Sequence, residues 1–496
     1  MREKLRLSIT TYIHFLVDFT CAYWMFHMMM RQYCDYVECP VGETLADNSL
    51  VWPLIYNFCA FGLQLPIGWI VDRFAQKRPW RISSLGCLIL AITGGLIFGE
   101  RVLEKVLDGI YTNSLGSVIF CYSDQHIFCY AILLGIGNAL FHVGAGVEIL
   151  HLSAQGGRKT LRHRKGEIAA IDHMGYRMMP VGIFVSSGAL GLFVGQVVAR
   201  YLEMVSIVIY DYYEAMKVIS LVMIGLMLVA AWLNALLTKP MNSYHRKADQ
   251  DGIVSCSASM RDESAGLHET DQQGQTVGLV ETDQQGQTVM LVETDQRDKA
   301  ASCYPNWHMG IILLLFLVVV LRSFLGGVME FSWYGWPEIA LVLALCVTLG
   351  KVVGGILADR IGVLWTVVVP LSISAMLFWF ASDYMIPGLM AVLLFQTTMP
   401  ITLSLMHRQT PGHPGMAFAL LSFGLFLGSL PKMGFGLWEQ RQGMTAKRYR
   451  VIYFLRDCLE HIGSVVAAAS LLLLLIVLFL WWRAWKGENG NGERKK

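Results

Sequence analysis

The chain has 496 residues, of which 55% are hydrophobic and 15% charged, with a mean hydropathy of +0.49. Soluble domains carry about a quarter charged residues, so this composition excludes an ordinary water-soluble enzyme. The net charge of +2, with basic residues gathered into no single face, gives no support to nucleic-acid binding.

Crossing a hydrocarbon core takes about 20 apolar residues as helix. In chain order, twelve spans are expected, at 7–29, 50–71, 82–99, 127–151, 180–200, 216–237, 308–329, 338–358, 363–381, 386–406, 415–436 and 462–482. The N-terminal MREKLR followed by an apolar run resembles a signal peptide. The run continues to Met30 without a small-x-small cleavage site, so a first transmembrane helix is the better reading. The expected fold is an all-α integral membrane protein of two six-helix bundles. Its divisions are 1–237, a loop at 238–306, 307–483 and a tail at 484–496.

The positive-inside rule orients the spans. With the N-terminus cytoplasmic, the inside segments hold most of the 39 basic residues, including Arg73, Lys77, Arg78 and Arg81, and then GGRKTLRHRKGE. QRQGMTAKRYRVIYFLRD, between spans eleven and twelve, breaks the rule; reversing the chain would break it at more places. Both termini are therefore expected on the cytoplasmic side. The eleven cysteines are scattered without CxxC pairs or zinc-ligand spacing, and no metal or other cofactor is expected. Cys34 and Cys39 share a short loop and would form a disulfide on an oxidising side.

The loop between the halves repeats HETDQQGQTVGL, VETDQQGQTVML and VETDQRDKA. A Gln/Gly-rich repeat cannot bury a core, so it reads as a disordered linker or a partner-binding tether.

Two patterns recur in the halves. GWIVDRFAQKR after span two and GGILADRIG after span eight each place a glycine four residues before Asp-Arg: Gly68, Asp72 and Arg73, then Gly355, Asp359 and Arg360. The glycine permits close helix contact, and the charged pair can cap and bridge helix ends, holding one face closed. In spans five and eleven, Gly182, Gly191 and Gly195 share the spacing of Gly415, Gly424 and Gly428. Small residues so placed let membrane helices approach. Repeated in corresponding spans, they point to duplication and to a substrate site between the halves near the midplane.

The Asp-Arg stretches resemble the loop 2–3 and loop 8–9 signature of the major facilitator superfamily. Ala75 replaces a glycine in the first copy, and Val363 and Leu364 replace polar or basic positions in the second. The span-five spacing is similar to a proton-antiporter motif, with Gln196 in the place of its proline. HFLVDF, GIGNALFHVGAG and GIFVSSGALGLFVG look like the fosmidomycin-resistance type of efflux protein. The resemblance implies a proton-coupled efflux transporter working by alternating access, monomeric, in the plasma (inner) membrane. Its partners would be an unidentified small molecule, protons and the bilayer. A facilitator or importer, and a transporter-like sensor without flux, are the alternatives.

Polar residues inside spans are costly and mark function. His14 and Asp18 lie one helical turn apart in span one, as do Asn138 and His142 in span four; Arg322 lies in span seven. The superfamily resemblance places spans one, four, seven and ten around a central cavity. Asp18 is then either paired with Arg322 or His14 to hold the halves together, or the proton carrier with His14 as relay, or a substrate contact. Arg322 either partners Asp18 or holds an anionic substrate, while His142 and Asn138 line the cavity. Glu148 is expected in the charge network around Asp72 and Arg73, and Lys351 to snorkel or to pair near the inner surface. The chain contains neither GxxxxGK[ST] nor HExxH, so ATP hydrolysis and zinc-protease chemistry are not expected, and no enzyme activity is assigned.

Overall fold

The structure is a computed structural model. It describes residues 2–38, 51–76, 78–111, 124–161, 177–206, 212–236, 307–329, 331–333, 337–442 and 461–493. The repeat loop, the Cys34/Cys39 pairing and residues 443–460 of the basic loop lie outside what can be described. The chain divides into two units, Met1–Thr238 with Ile311–Lys496, and Lys239–Gly310.

Twelve helices are described, in the expected order: α1 (Arg2–Glu38), α2 (Val51–Ala75), α3 (Pro79–Tyr111), α4 (Asp124–Leu161), α5 (Met179–Ser206) and α6 (Tyr212–Leu236), then α7 (Trp307–Val328), α8 (Pro337–Ile361), α9 (Val363–Phe380), α10 (Met385–Gln409), α11 (Pro414–Gln442) and α12 (Ile462–Glu493). Eleven are long and apolar enough to cross a membrane. The exception is α1, whose apolar run is diluted by Thr10, Thr11, Tyr12, His14 and Asp18. Its polar face is sheltered, since it packs chiefly along α5.

Large apolar side chains stand exposed along the outer helices, among them Val218, Leu221, Val222, Val229 and Trp232 on α6 and Trp365, Met376, Trp379 and Phe380 on α9. Such an apolar exterior is explained by lipid as the surrounding solvent. This is a multi-pass membrane protein.

Two helices are broken, each beside a proline. In α10 the helix stops at Gln396, turns through Thr397 and Thr398, and restarts at Met399. Pro400 lacks an N–H and its ring crowds the carbonyl four residues earlier, that of Gln396. In α2 a π-bulge over Phe58–Gly62 precedes Pro66, and a second covers Val71–Ala75. Such bulges recur at functional places in membrane helices.

The glycine pairs account for the close packing. A Cβ at Gly191 would strike the Phe15 carbonyl, and one at Gly195 the Phe19 carbonyl, both on α1. In the second half, Gly428 abuts the Val320 carbonyl and Gly424 the Phe316 and Val319 side chains, all on α7. The first glycine of each triplet reaches the opposite half instead. A Cβ at Gly182 would lie 2.6 Å from the Lys351 carbonyl of α8, and one at Gly415 2.6 Å from the Gly68 carbonyl of α2. Each triplet thus repeats the same pattern, two glycines on the first helix of its own half and one on a helix of the other half.

Candidate functional site

Asp72 sits where α2 ends and receives the N-terminus of α11: its two oxygens accept the N–H groups of Gly415 at 2.7 Å and Met416 at 2.8 Å. Asp359 does the same from the end of α8, accepting the N–H of Met178 at 2.7 Å and of Met179, which opens α5, at 3.0 Å. The first N–H groups of a helix have no partner within the helix, and its N-terminus carries partial positive charge, so a carboxylate satisfies both needs. Gly68 and Gly355 let the backbones meet beside these caps. Gln76 adds a bond from its side-chain amide to the Gly412 carbonyl at 2.8 Å. The halves are therefore latched twice on the side of the α2–α3 turn, by equivalent residues. Arg73 and Arg360 are exposed there and form no ion pair with a described carboxylate, so the aspartates do the bridging.

Deeper in the N-terminal half, His14 and Asp18 from α1 meet His142 and Asn138 from α4, all buried. His14 Nε2 lies 2.9 Å from His142 Nε2 and 3.3 Å from an Asp18 oxygen, and His142 Nε2 lies 3.5 Å from the other. Asn138 donates to Asp18 at 3.2 Å and to the Tyr56 hydroxyl at 3.0 Å. Each imidazole Nδ1 faces a carbonyl, His14 that of Phe184 at 2.7 Å and His142 that of Asn138 at 2.9 Å. A carbonyl only accepts, so both Nδ1 atoms must donate. In neutral rings both Nε2 atoms are then bare lone pairs, turned toward each other and toward a carboxylate. Only a cation between them relieves that arrangement, and a proton shared among the three groups is the smallest one that fits. The donor atoms all lie within 4.8 Å of one another, a spread that would also admit a metal ion.

The cluster is walled by aromatic rings. His14 stacks on Phe184 at 4.0 Å, and Phe418 of α11 comes within 6.5 Å of His142 and 6.3 Å of Phe184, ring centre to ring centre. Gly188 of α5 lies directly against the cluster: a Cβ there would overlap His14 Nε2 and Asp18 Oδ2.

Several expectations need correction. Asp18 does not pair with Arg322; its partners are the two histidines and Asn138. Arg322 is buried and turned to the break in α10, donating to the Thr398 hydroxyl and to Met399 Sδ at 3.1 Å, with its Cζ 5.4 Å from the centre of the Phe395 ring. Glu148 stays clear of the latch and pairs with Arg6 at 3.2 Å. Lys351 is half-buried on α8, and no ion pair joins it to a described carboxylate. Gly188 was not singled out in sequence, although it lies in the GIFVSSGALGLFVG stretch. Its role is set by where α1 crosses α5.

This architecture, with duplicated halves latched between α2 and α11 and between α8 and α5, has the fold of solved transporters, one of them described as a major facilitator superfamily transporter. Solved structures of that fold agree. The fucose:proton symporter FucP of E. coli aligns with a TM-score of 0.52 at 11% identity, over 96% of this chain and 99% of that one. FucP in an outward conformation gives 0.51 at 11% identity with the same coverage. A double-tryptophan mutant of XylE gives 0.58 at 12% identity, over 95% of each chain. Scans against protein-family models and against curated proteins return no match.

Proposed function

We propose that this protein is a secondary active transporter that moves a small organic compound across the plasma (inner) membrane in exchange for protons, by alternating access. The observation that carries this reading is the buried cluster of His14, Asp18 and His142, three acceptor groups arranged to hold and release one proton. Desolvation and neighbouring charge act on a carboxylate in opposite directions, so a site whose surroundings change as the halves rock can gain and lose a proton. Asp18 and His14 are the coupling groups. His142 and Asn138 continue the site toward the substrate, which Arg322 faces from the other half.

The twin caps at Asp72 and Asp359 form the cytoplasmic gate, with both termini on that side. Opening it uncaps two helix N-termini at once, and closing the opposite side compensates. The packing glycines allow α1 to move with α5 and α7 with α11 as bodies. A monomer is sufficient for all of these motions.

Import by proton symport is a second reading, favoured because FucP is a fucose:proton symporter of the same fold. The test is proton movement in proteoliposomes on addition of single compounds, comparing the natural chain with Asp18→Asn. Under this reading a compound drives proton flux that the variant loses while still binding the compound. Flux independent of protons and intact in Asp18→Asn would make the cluster structural and the protein a facilitator.

A further inference from the structure

Among the described residues three carboxylates are buried: Asp18, Asp72 and Glu148. All three belong to the N-terminal half, and each is already answered: Asp72 by two backbone N–H groups, Glu148 by Arg6, and Asp18 by two histidines and an asparagine. On the C-terminal side, the buried Arg322 and the half-buried Lys351 form no ion pair with a described carboxylate.

A guanidinium has five N–H donors in a fixed fork. Arg322 uses it on a threonine hydroxyl and a thioether, the latter a weak acceptor, and its Nε has no partner although it is buried. Leaving a buried charged donor unmet is costly, and the fork geometry matches an oxyanion. Lys351 is held close by the packing of its own helix. Gly350 and Gly354 flank it, and a Cβ at either would strike the α10 backbone at Leu393 or Thr397, beside the break where Arg322 is anchored. One turn before Lys351, the Thr348 hydroxyl is buried without a partner. The stretch of α8 that carries Lys351 and Thr348 thus packs on the same α10 break that Arg322 reaches, and an anion there would answer both the positive charge and the unmet donors.

We propose that Arg322 and Lys351, with Thr348 and Thr398 beside them, form the recognition site for a small organic anion bearing a carboxylate or phosphate head. This inference rests on the transport reading above and specifies its substrate class. The break in α10 has a purpose under it: the turn at Thr397–Thr398 delivers a hydroxyl to the guanidinium at the level of Lys351. The arrangement also separates the two ligands by charge, with the proton at the acceptor cluster on α1 and α4 and the anion at the donor cluster on α7, α8 and α10.

The test uses the full-length protein purified in detergent, with glucuronate and glucose 6-phosphate as anionic probes and glucose as the neutral twin. Thermal stabilisation is titrated at constant ionic strength for the natural chain, Arg322→Gln, Arg322→Lys and Lys351→Gln. The expected result is stabilisation by at least one anion and not by glucose. The apparent Kd should rise at least tenfold in Arg322→Gln and in Lys351→Gln, with partial recovery in Arg322→Lys. The half-buried Lys351 keeps the test decisive should Arg322→Gln fail to fold. Equal shifts with glucose, unchanged anion binding in Lys351→Gln, or no shift with either anion would overturn the proposal. The two readings fail separately: anion binding that depends on these residues without proton flux would refute coupled transport alone. Proton flux driven by a neutral compound would refute the anion site alone.

Discussion

Replacing Asp72 with asparagine tests the latch where its energetics are simplest. The carboxylate accepts two backbone N–H bonds at the start of α11, at 2.7 and 2.8 Å. Asparagine keeps one acceptor oxygen, loses the second, and removes the charge that the helix N-terminus favours. A hydrogen bond to a charged group contributes about 1.5–3 kcal/mol, and the dipole term adds roughly 0.3–1 kcal/mol. Allowing for the bond that asparagine retains, a loss of about 2 kcal/mol is expected. At about 1.4 kcal/mol per tenfold, that multiplies the open population roughly thirtyfold. Hydrogen–deuterium exchange of the peptides containing Gly415 and Met416 reads this opening directly, because those amides are free only when the latch parts. If the halves move as bodies, Met178 and Met179, capped by Asp359, should speed up as well, although they lie in another part of the sequence. Faster exchange confined to Gly415 and Met416 would show local fraying and refute the coupled latch. No change at either cap would refute the assigned role of Asp72 altogether.

Other substitutions probe the supporting structure. Gly191→Val drives a branched side chain into the α1 backbone at Phe15; overpacking of this kind costs roughly 1–3 kcal/mol, seen as a lower Tm in detergent, whereas Gly225→Val, where no atom lies within 4 Å of the added Cβ, should be neutral. Arg6→Gln leaves Glu148 buried without its cation, a loss of about 3–5 kcal/mol by the measure of other buried pairs; Arg6→Gln with Glu148→Gln should recover most of the Tm, and failure to recover would mean the pair is not the source. Gly188→Ala puts a methyl group between His14 and Asp18 and should abolish proton coupling while the protein still folds; coupling at the natural rate would show that the cluster tolerates displacement.

Much of the fold was legible because lipid imposes simple rules. Hydropathy and length place the spans, and lysine and arginine bias suggests their orientation. The shared spacing of Gly182/Gly191/Gly195 and Gly415/Gly424/Gly428 marked helices whose contacts repeat in each half. The Asp-Arg stretches likewise marked both latches, though not that the aspartates would receive backbone N–H groups while the arginines turned outward. The site was legible only in pieces. His14 with Asp18, and Asn138 with His142, are neighbours along one helix and so visible in sequence. That the two pairs meet depends on how α1 crosses α4, with His142 and His14 separated by 128 positions. Arg322 and Lys351 were visible as intramembrane charges, but their partners depend on the α10 break and on the glycines that draw α8 against it. Glu148 was misassigned for the same reason, since its partner Arg6 comes from the first turns of α1.

The most direct test of the account is whether a pH gradient alone drives a compound uphill into proteoliposomes. With an anion identified by the stabilisation assay, exchange against protons predicts accumulation only when the interior is acidic. A protonophore and the Asp18→Asn variant should each abolish it. Accumulation only with an alkaline interior would establish symport and overturn the exchange reading. Equilibration with no response to the gradient, unchanged in Asp18→Asn, would contradict proton coupling at the His14–Asp18–His142 cluster.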